Sequence, residues 1–574
     1  MSTPPDPGTP RARPHATHEV TNQAAPRVDL DEAASDVALL EAVRRHEAGW
    51  AVDDLHSVGR LVGSASFQRD AVLANTITPV LRVVDRWGYR VDEVDYHPAY
   101  HRIIGAAVAH GAHTSAWSDP RPGANVARAA TFLLFAQVEP GHACPISMTH
   151  AAVPTLLLQP DVGDQWLPRL LSREYDGELD ERLGHETLGH ETKASALVGM
   201  AMTEKQGGSD VRANTTVAVP AGAGGPGSTY LLTGHKWFCS APMSDAFLVL
   251  AQATGAGGEG LSCFLLPRVL PDGERNVFRV QRLKDKLGNR SNASAEVELD
   301  GTVAVMVGEP GRGVRTIIEM VNRTRLDCVL GSAAGMRQCV AEAVWHARHR
   351  SAFGRLLVDQ PAMSAVLADL ALESEAAIAT AMRLARAHDD DAGDEHFRRL
   401  ATAVSKYWIC KRGPHHAYEA MECLGGNGYT EEFPLARRYR EQPVMAVWEG
   451  SGNVIALDVL RALRREPESR AAFEAEVSLA RGAHPLLDTH LERVADDVRS
   501  VLTADPDVAE RGVRRLVEAM ALALQASLLV RFAPTAVSDA FVTSRLGSER
   551  GHEYGALPTG AATAAILERV PSSA

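Results

Sequence analysis

Lysine is scarce in this chain of 574 residues: seven lysines stand against 52 arginines. Six of the seven fall in four short stretches, TEKQGGSD, GHKWF, LKDKLGN and SKYWICKRG. The two cations differ in shape and hydration, so either chemistry asks for lysine at these places or the clustering is chance. Paired cysteines are missing too. The seven cysteines are scattered, with no CxxC and no metal-ligand spacing, which leaves no metal site in prospect and points to reduced, cytoplasmic thiols. A surplus of positive charge is absent: the net charge of -13 excludes a generally basic nucleic-acid coat and leaves only local patches. No apolar run reaches the roughly 20 residues a membrane span needs; the longest near the C-terminus is MALALQASLLV. GxSxG and GxxxxGK(S/T) are both absent, which weighs against serine-hydrolase and P-loop chemistry. The stretch MSTPPDPGTPRARPHATHEV carries four prolines before residue 11 and no apolar h-region, so residues 1–26 read as a disordered tail, not a signal peptide.

What is present divides into blocks of different hydrophobic period. From 27 to 196 the period is helical, as in DVALLEAVRRHEAGW and VARAATFLLFAQV, which predicts an N-terminal α-helical domain. From 197 to 312 short β-rich runs alternate with Gly-rich connectors: VGMAMT, TTVAV, TYLLTG, AFLVLAQ, LSCFLL, VFRVQR and SAEVEL, a compact β domain. From 313 to 465 long helical segments return. Met363, Val366, Leu367 and Leu370 share one helical face, and short joins predict a bundle. Residues 466–574 read as a helical extension with a polar tail after Pro558. With 45% hydrophobic residues, the chain can build a sizeable core in each block.

Three signals read as bland. Two GxGxxG stretches, starting at Gly222 and Gly255, have strands on both sides instead of a strand and a helix, so they are connectors and not dinucleotide fingerprints. LGHETLGHET sets His185 and His190 about 140° apart around a helix, unlike a zinc HExxH site, and reads as a loop insertion. His415-His416 reads as a helix-surface pair with no partner cluster.

Chemistry gathers elsewhere. MTEKQGGSD, from Met202 to Asp210, offers backbone N–H groups around two glycines and the hydroxyls of Thr203 and Ser209, able to approach a planar ring or a phosphate. HKWFCS places Trp237 in a strand, as core or as an aromatic wall. RSAFGR from Arg350 and ECLGGNGYTEEFP from Glu422 break the bundle with glycines that expose N–H groups to anions. MAVWEGSGNVIALDVL sets Glu449 where a helix begins, either as a dipole feature worth about 0.3–1 kcal/mol or as a base. In their order and context TEKQGGSD, KWFCS, RTR at 323–325, RSAFG, Gln360, LGGNGY and WEGSGN resemble the acyl-CoA dehydrogenase flavoproteins. The closest resemblance is to the AidB-type adaptive-response branch, from about residue 27 onward.

The resemblance implies an α+β multidomain fold: an N-terminal α-helical domain, a middle β-barrel and a C-terminal four-helix bundle with a helical extension, FAD lying between barrel and bundle. By matching positions, Met202, Thr203, Gly208, Ser209, Trp237 and Ser240 line the flavin, and Ser451 and Asn453 add cofactor contacts. Arg350, Phe353, Gln360, Glu422, Gly425 and Gly426 meet the ADP half of an FAD bound mainly by a neighbouring subunit, which implies a homo-oligomer, typically a tetramer. Glu449 matches the base that removes an acyl-CoA α-proton while the β-hydride passes to flavin; apolar neighbours would raise its pKa. Arg325, Lys205 and Trp448 fall beside the expected substrate channel. Trp448 replaces the commoner Tyr, Lys205-Gln206-Gly207 replaces Pro-Gly-Ala, and Glu422 replaces the commoner Gln. The branch is also associated with double-stranded DNA and protection from alkylation, through the extension. From Arg461 onward there are 14 arginines and no lysine against 16 acidic residues, so DNA contact rests on Arg461, Arg511, Arg514 and Arg515. The last three share a helical face on which Glu510 and Glu518 read as ion-pair partners.

Overall fold

A computed structural model describes residues 17–177, 193–255, 257–548 and 551–571; the LGHETLGHET stretch lies outside the described residues. The first block opens with α1 (Val37–Arg45), α2 (Val52–Gly63) and α3 (Ala65–Thr76). Asp36 caps α1 by accepting from the Leu39 N–H. The helical expectation then fails. VLRVV and RVDEVD pair antiparallel as β1 (Val80–Val84) and β2 (Arg90–Asp95), with Val80 opposite Asp95. Alternating β-branched residues favour strands here, and Asp85 closes the turn by accepting from the N–H groups of Trp87 and Tyr89. Helices α4 (Pro98–Ala109), α5 (Ser115–Ser118), α6 (Ala124–Val138), α7 (Ala143–Leu156) and α8 (Pro160–Leu170) complete the block.

The disordered-tail expectation is corrected in its second part. Asn22 exchanges two hydrogen bonds with the backbone of Ser351, at 2.7 and 2.8 Å, and the Ala25 carbonyl accepts from Trp345 Nε1 at 2.7 Å. Residues 17–26 carry enough polar partners to dock on the bundle.

Each β-rich run becomes a strand: β3 (Val198–Ala201), β4 (Val217–Pro220), β5 (Thr229–Ser240), β6 (Ala246–Ala253), β7 (Gly260–Pro267), β8 (Arg279–Leu283) and β9 (Ser294–Val307). The path β6–β4–β5–β9–β7 returns to β6, so five strands close a barrel, with β3 added to β6 and β8 to β9. Closure removes the free edges of that ring and buries Tyr230, Phe247 and Phe264 inside it. Both GxGxxG stretches lie in strand connectors, as their flanks required, and the two loops touch: a Cβ on Gly257 would sit 2.3 Å from Gly225 N.

The bundle comprises α9 (Gly313–His349), α10 (Pro361–Arg386), α11 (Glu395–Glu422), α12 (Pro434–Val447) and α13 (Gly452–Arg465). A small hairpin, β10 (Ser351–Ala352) and β11 (Arg355–Leu356), joins α9 to α10. Leu367 and Leu370 are buried, with Met363 and Val366 packed on the same core. A buried Arg128–Asp327 ion pair ties α6 to α9. The extension forms α14 (Pro467–Ser478), α15 (Pro485–Thr503), α16 (Pro506–Phe532), α17 (Thr535–Leu546) and α18 (Thr563–Glu568). The tail after Pro558 is therefore not simply polar: Ile566, Leu567 and Val570 are buried, and Arg569 pairs with both Glu41 and Glu375. No helix among the described residues is long and apolar enough to cross a membrane.

Candidate functional site

The MTEKQGGSD loop follows β3 and is anchored from beneath by its own acid. Glu204 is fully buried and accepts from Lys236 Nζ at 2.8 Å, from Thr215 N at 2.7 Å and from Thr216 N at 3.2 Å. Burial alone would push this carboxyl up; the Lys236 ammonium and these hydrogen bonds hold it well below the ordinary carboxylate range. Trp237 N donates to the Thr203 carbonyl at 2.9 Å, so loop and β5 move as one. Met202 and Thr203 are half-buried, whereas Lys205, Gly208 and Ser209 face outward.

Beside the loop, β5 presents half-buried Trp237, and Lys284 Nζ sits 3.3 Å from the centre of its ring. Lys205 approaches the same ring at 5.7 Å. Ser240 Oγ lies 3.1 Å from Ser294 Oγ, and Lys286 Nζ donates to Ser294 Oγ at 3.2 Å. Cys144, at the start of α7, was not singled out by sequence; burial pushes its thiol up to about 11, despite Lys286 and a hydrogen bond to Ser240. The loop carrying both lysines docks on α12. Gly288 permits this: a Cβ there would meet the Arg440 carbonyl at 2.2 Å, and the next residue, Asn289, donates its N–H to Glu441 at 2.8 Å.

Glu449 occupies the link between α12 and α13, in the left-handed region at φ 58°. A non-glycine residue there costs on the order of 1–3 kcal/mol and persists only where its surroundings fix it. Three contacts do so. Arg325 Nε donates to the Glu449 carbonyl at 3.1 Å, Arg325 Nη1 pairs with Asp458 of α13 at 2.8 Å, and Lys406 Nζ donates to the Gly450 carbonyl. Burial raises the Glu449 carboxyl above its ordinary pKa, while a Thr324 hydrogen bond and the charges of Arg325 and Lys406 pull it back. Arg325, expected beside the substrate channel, is buried and holds the Glu449 backbone. Trp448 packs against Cys328, Cys410 and Met445.

A second group lies far from the first in the same chain. Arg350 follows the end of α9, 25 residues beyond Arg325, which at 1.5 Å per residue is roughly 37 Å. Gln360 Nε2 donates to the Ala352 carbonyl at 2.8 Å, and Arg350 Nη1 donates to the Asn22 carbonyl at 2.7 Å. Phe353, at φ 52°, is 98% exposed on the hairpin tip. Glu422 ends α11 and raises the Tyr418 phenol through a hydrogen bond. A Cβ on Gly425 or Gly426 would meet nothing within 4 Å, so these backbones stand open.

Further expectations change. Arg514 is not paired with Glu510 or Glu518; it turns to the bundle, donating to Tyr407 Oη at 2.9 Å and Asn453 Oδ1 at 3.4 Å. Arg511 and Arg515 are exposed and form no ion pair among the described residues, while Arg461 has Asp458 at 3.6 Å. His416 is buried, with Nε2 on the Leu370 carbonyl at 3.0 Å, because its side of α11 faces α10. His415 does have partners: its Nε2 is 2.8 Å from Glu553, and Glu419 joins them within 4.8 Å. Six of the seven lysines have defined places: Lys236 lies under the loop, Lys205 and Lys284 at Trp237 and Lys286 at Ser294 on the barrel, and Lys406 on Gly450 and Lys411 against Gly452 at the link between α12 and α13.

Residues 22–177 match the N-terminal domain family of the adaptive response protein AidB. Residues 199–302 match the acyl-CoA dehydrogenase middle domain, and 311–464 its C-terminal domain. The chain is 49% identical to AidB of Escherichia coli K12 over 454 residues, 78% of this chain and 81% of that one. It is 30% identical to acyl-CoA dehydrogenase family member 11 of Caenorhabditis elegans over 439 residues, 74% of this chain and 69% of the relative. A solved structure of C. elegans ACDH-11 in complex with C11-CoA superposes with a TM-score of 0.82 at 26% identity, covering 98% of this chain and 99% of that one. The chain belongs to the acyl-CoA dehydrogenase flavoprotein family, on its AidB-type branch.

Proposed function

We propose that the chain oxidises an acyl-CoA, with Glu449 as the base that takes the α-proton and FAD held between barrel and bundle. The observation that carries the reading is Glu449 itself, a carboxylate fixed in a strained turn with its pKa raised by burial. The donor set fits a flavin: Trp237 offers an aromatic face, Thr203, Ser209 and Ser240 offer hydroxyls, and a Cβ on Gly207 would meet nothing within 4 Å. FAD, when bound, supplies the acceptor for the β-hydride. Arg325 and Lys406 hold the turn so that Glu449 meets the α-carbon without reorganising. Exposed Phe353 and Tyr429, with the open Gly425–Gly426 backbone, support an oligomer in which a neighbouring subunit's FAD covers them. The test is anaerobic titration of the purified protein with short and branched acyl-CoAs while the flavin absorbance is followed. Bleaching is expected; a broad panel that leaves the band unchanged would refute the dehydrogenase reading.

The pH dependence has a definite sign. Only ionised Glu449 accepts a proton, so the bleaching rate falls as pH drops through a pKa above the ordinary carboxylate value. Lys406→Met removes a charge that favours the carboxylate, so the acid limb should move to higher pH; single-turnover rates across pH read this directly. A limb that stays in place, or moves to lower pH, would show that Lys406 does not tune the base.

A second reading, duplex-DNA binding, is supported by Arg511 and Arg515, which stand exposed without carboxylate partners among the described residues. Neutralising phosphates releases counterions, so affinity should fall steeply with salt and weaken in an Arg511→Ala/Arg515→Ala variant. Binding indifferent to salt and to both substitutions removes this reading.

A further inference from the structure

The chain leading into α18 brings an acid to α11. His415 and Glu419 stand four residues apart on that helix, about 40° around its axis and so on one face. Glu553 reaches them from the extension, its Oε2 2.8 Å from His415 Nε2. One ligand atom from each of the three lies within 4.8 Å of the other two. The residues after Glu553 hold it there. Tyr554 is buried with its ring 5.3 Å from that of His415, and Gly555 N donates to Asp369 Oδ2 of α10 at 2.9 Å. A Cβ on Gly555 would come within 2.7 Å of Val366, so glycine lets the chain lie this close. What the group lacks is a cation. Among the described residues, no arginine or lysine lies at ion-pair distance from Glu419 or Glu553; Arg412, over the Tyr554 ring at 4.7 Å, is taken by Glu373 at 3.3 Å. Burial first, then the charge of Glu422, raises the Glu419 carboxyl above its ordinary pKa; Glu553 and Asp369 add to this and His415 opposes it. A His415–Glu553 ion pair accounts for two of the three groups and leaves Glu419 facing a second carboxylate. Glu553 is exposed, and His415 and Glu419 are half-buried, so an ion can enter from solvent.

We propose that the His415 imidazole and the carboxylates of Glu419 and Glu553 bind a divalent transition ion of the zinc type, with water in the fourth position. One nitrogen and two carboxylate oxygens suit such an ion, whereas Mg²⁺ and Ca²⁺ prefer oxygen alone. A tetrahedral ion with bonds of about 2.0–2.2 Å sets its donors roughly 3.4 Å apart, which rotations of the two glutamate side chains reach from the present spacing. The ion clasps the extension to the bundle, adding to the pairs of Arg569 with Glu41 and Glu375. Sequence spacing hides such a site, because two ligands lie one helical turn apart and the third comes from the far end of the chain.

The test takes the full purified chain, treats it with chelator, dialyses the chelator away and titrates it calorimetrically with Zn²⁺, Mg²⁺ and Ca²⁺ in turn. Wild type is compared with Glu553→Gln, Glu419→Gln and His396→Ala, the last an exposed histidine at the other end of α11 and the control. Wild type and control are expected to bind one tight Zn²⁺ per chain, and each glutamine variant to bind it about tenfold or more weakly, since the amide keeps the shape and loses the charge. Mg²⁺ and Ca²⁺ should bind at least about a hundredfold more weakly than Zn²⁺. The melting temperature of wild type should rise with added Zn²⁺, as mass action requires, and that rise should be lost in Glu553→Gln. No tight Zn²⁺, or Zn²⁺ affinity in Glu553→Gln within about twofold of wild type, would overturn the proposal and leave an ion pair between His415 and Glu553. Ca²⁺ bound as tightly as Zn²⁺ would overturn it too. If Glu419→Gln fails to fold, Glu553→Gln decides alone, because Glu553 stands on the surface. None of these readouts uses the flavin, so the metal site stands or falls apart from the reading of Glu449.

Discussion

Glu449→Gln should keep the fold and the flavin and lose acyl-CoA-dependent bleaching by about a thousandfold or more, since a general base contributes roughly 10²–10⁴-fold. The amide has the shape of the acid and can occupy the same turn, but it cannot take a proton. Stability should move the other way. Burial raises the folded-state pKa of this carboxyl, so any stabilisation it brings is present at low pH and lost as pH rises through that pKa. Above it the wild type holds an ionised carboxylate in a place that disfavours charge; glutamine does not. The variant should therefore melt at least as high as wild type near neutral pH, the pattern of a residue kept for chemistry at some cost to the fold. Loss of flavin with the activity would make Glu449 a cofactor contact, and bleaching within tenfold of wild type would place the base elsewhere.

Much of this site could be read from the chain, for identifiable reasons. Short, continuously apolar β-rich runs such as AFLVLAQ and LSCFLL became β6 and β7, buried along nearly their whole length, because run length and the Gly- and Pro-bearing connectors around them act locally. The hairpin β1–β2 was missed because strong helical periods on both sides absorbed it, although DRWGY holds the Asp and Gly of a tight turn. Lysine scarcity proved informative. Lys236 and Lys406 place a compact ammonium against carbonyl oxygens in tight spaces, at Leu250 and Gly450, where a planar guanidinium is a poorer fit. What stayed hidden depends on distant pairings. That Arg325 steadies the Glu449 turn shows only once Asp458, 133 residues away, is seen to hold it. Arg514 reads as one of three charges facing Glu510 and Glu518 until Tyr407 and Asn453 are seen to be its partners. Helical spacing says which side chains share a face, not which neighbour that face will meet.

The buried Lys236–Glu204 pair carries the second large effect. Glu204→Ala should destabilise the chain by about 3–5 kcal/mol, because breaking a buried pair strands the remaining charge. Lys236 would keep only the Leu250 carbonyl as partner, and Thr215 N and Thr216 N would lose their acceptor. The carboxyl is held below its ordinary range, so the stability it brings is present above its unfolded pKa and lost as pH falls through the folded one. The variant should show the deficit near neutral pH and converge on wild type in acid. Removing both charges as Glu204→Ala/Lys236→Met should recover most of the loss, since an apolar replacement of a buried pair is often close to neutral. A double variant as unstable as the single one would show that the stranded charge is not the cause. The site should feel the same break. Because Glu204 anchors the segment bearing Met202, Thr203, Gly208 and Ser209, its loss should weaken FAD binding even at temperatures where the chain stays folded, as flavin release during a thermal ramp would reveal. Flavin retained as tightly as in wild type would mean that the Thr203 carbonyl bond to Trp237 holds the loop without its acid.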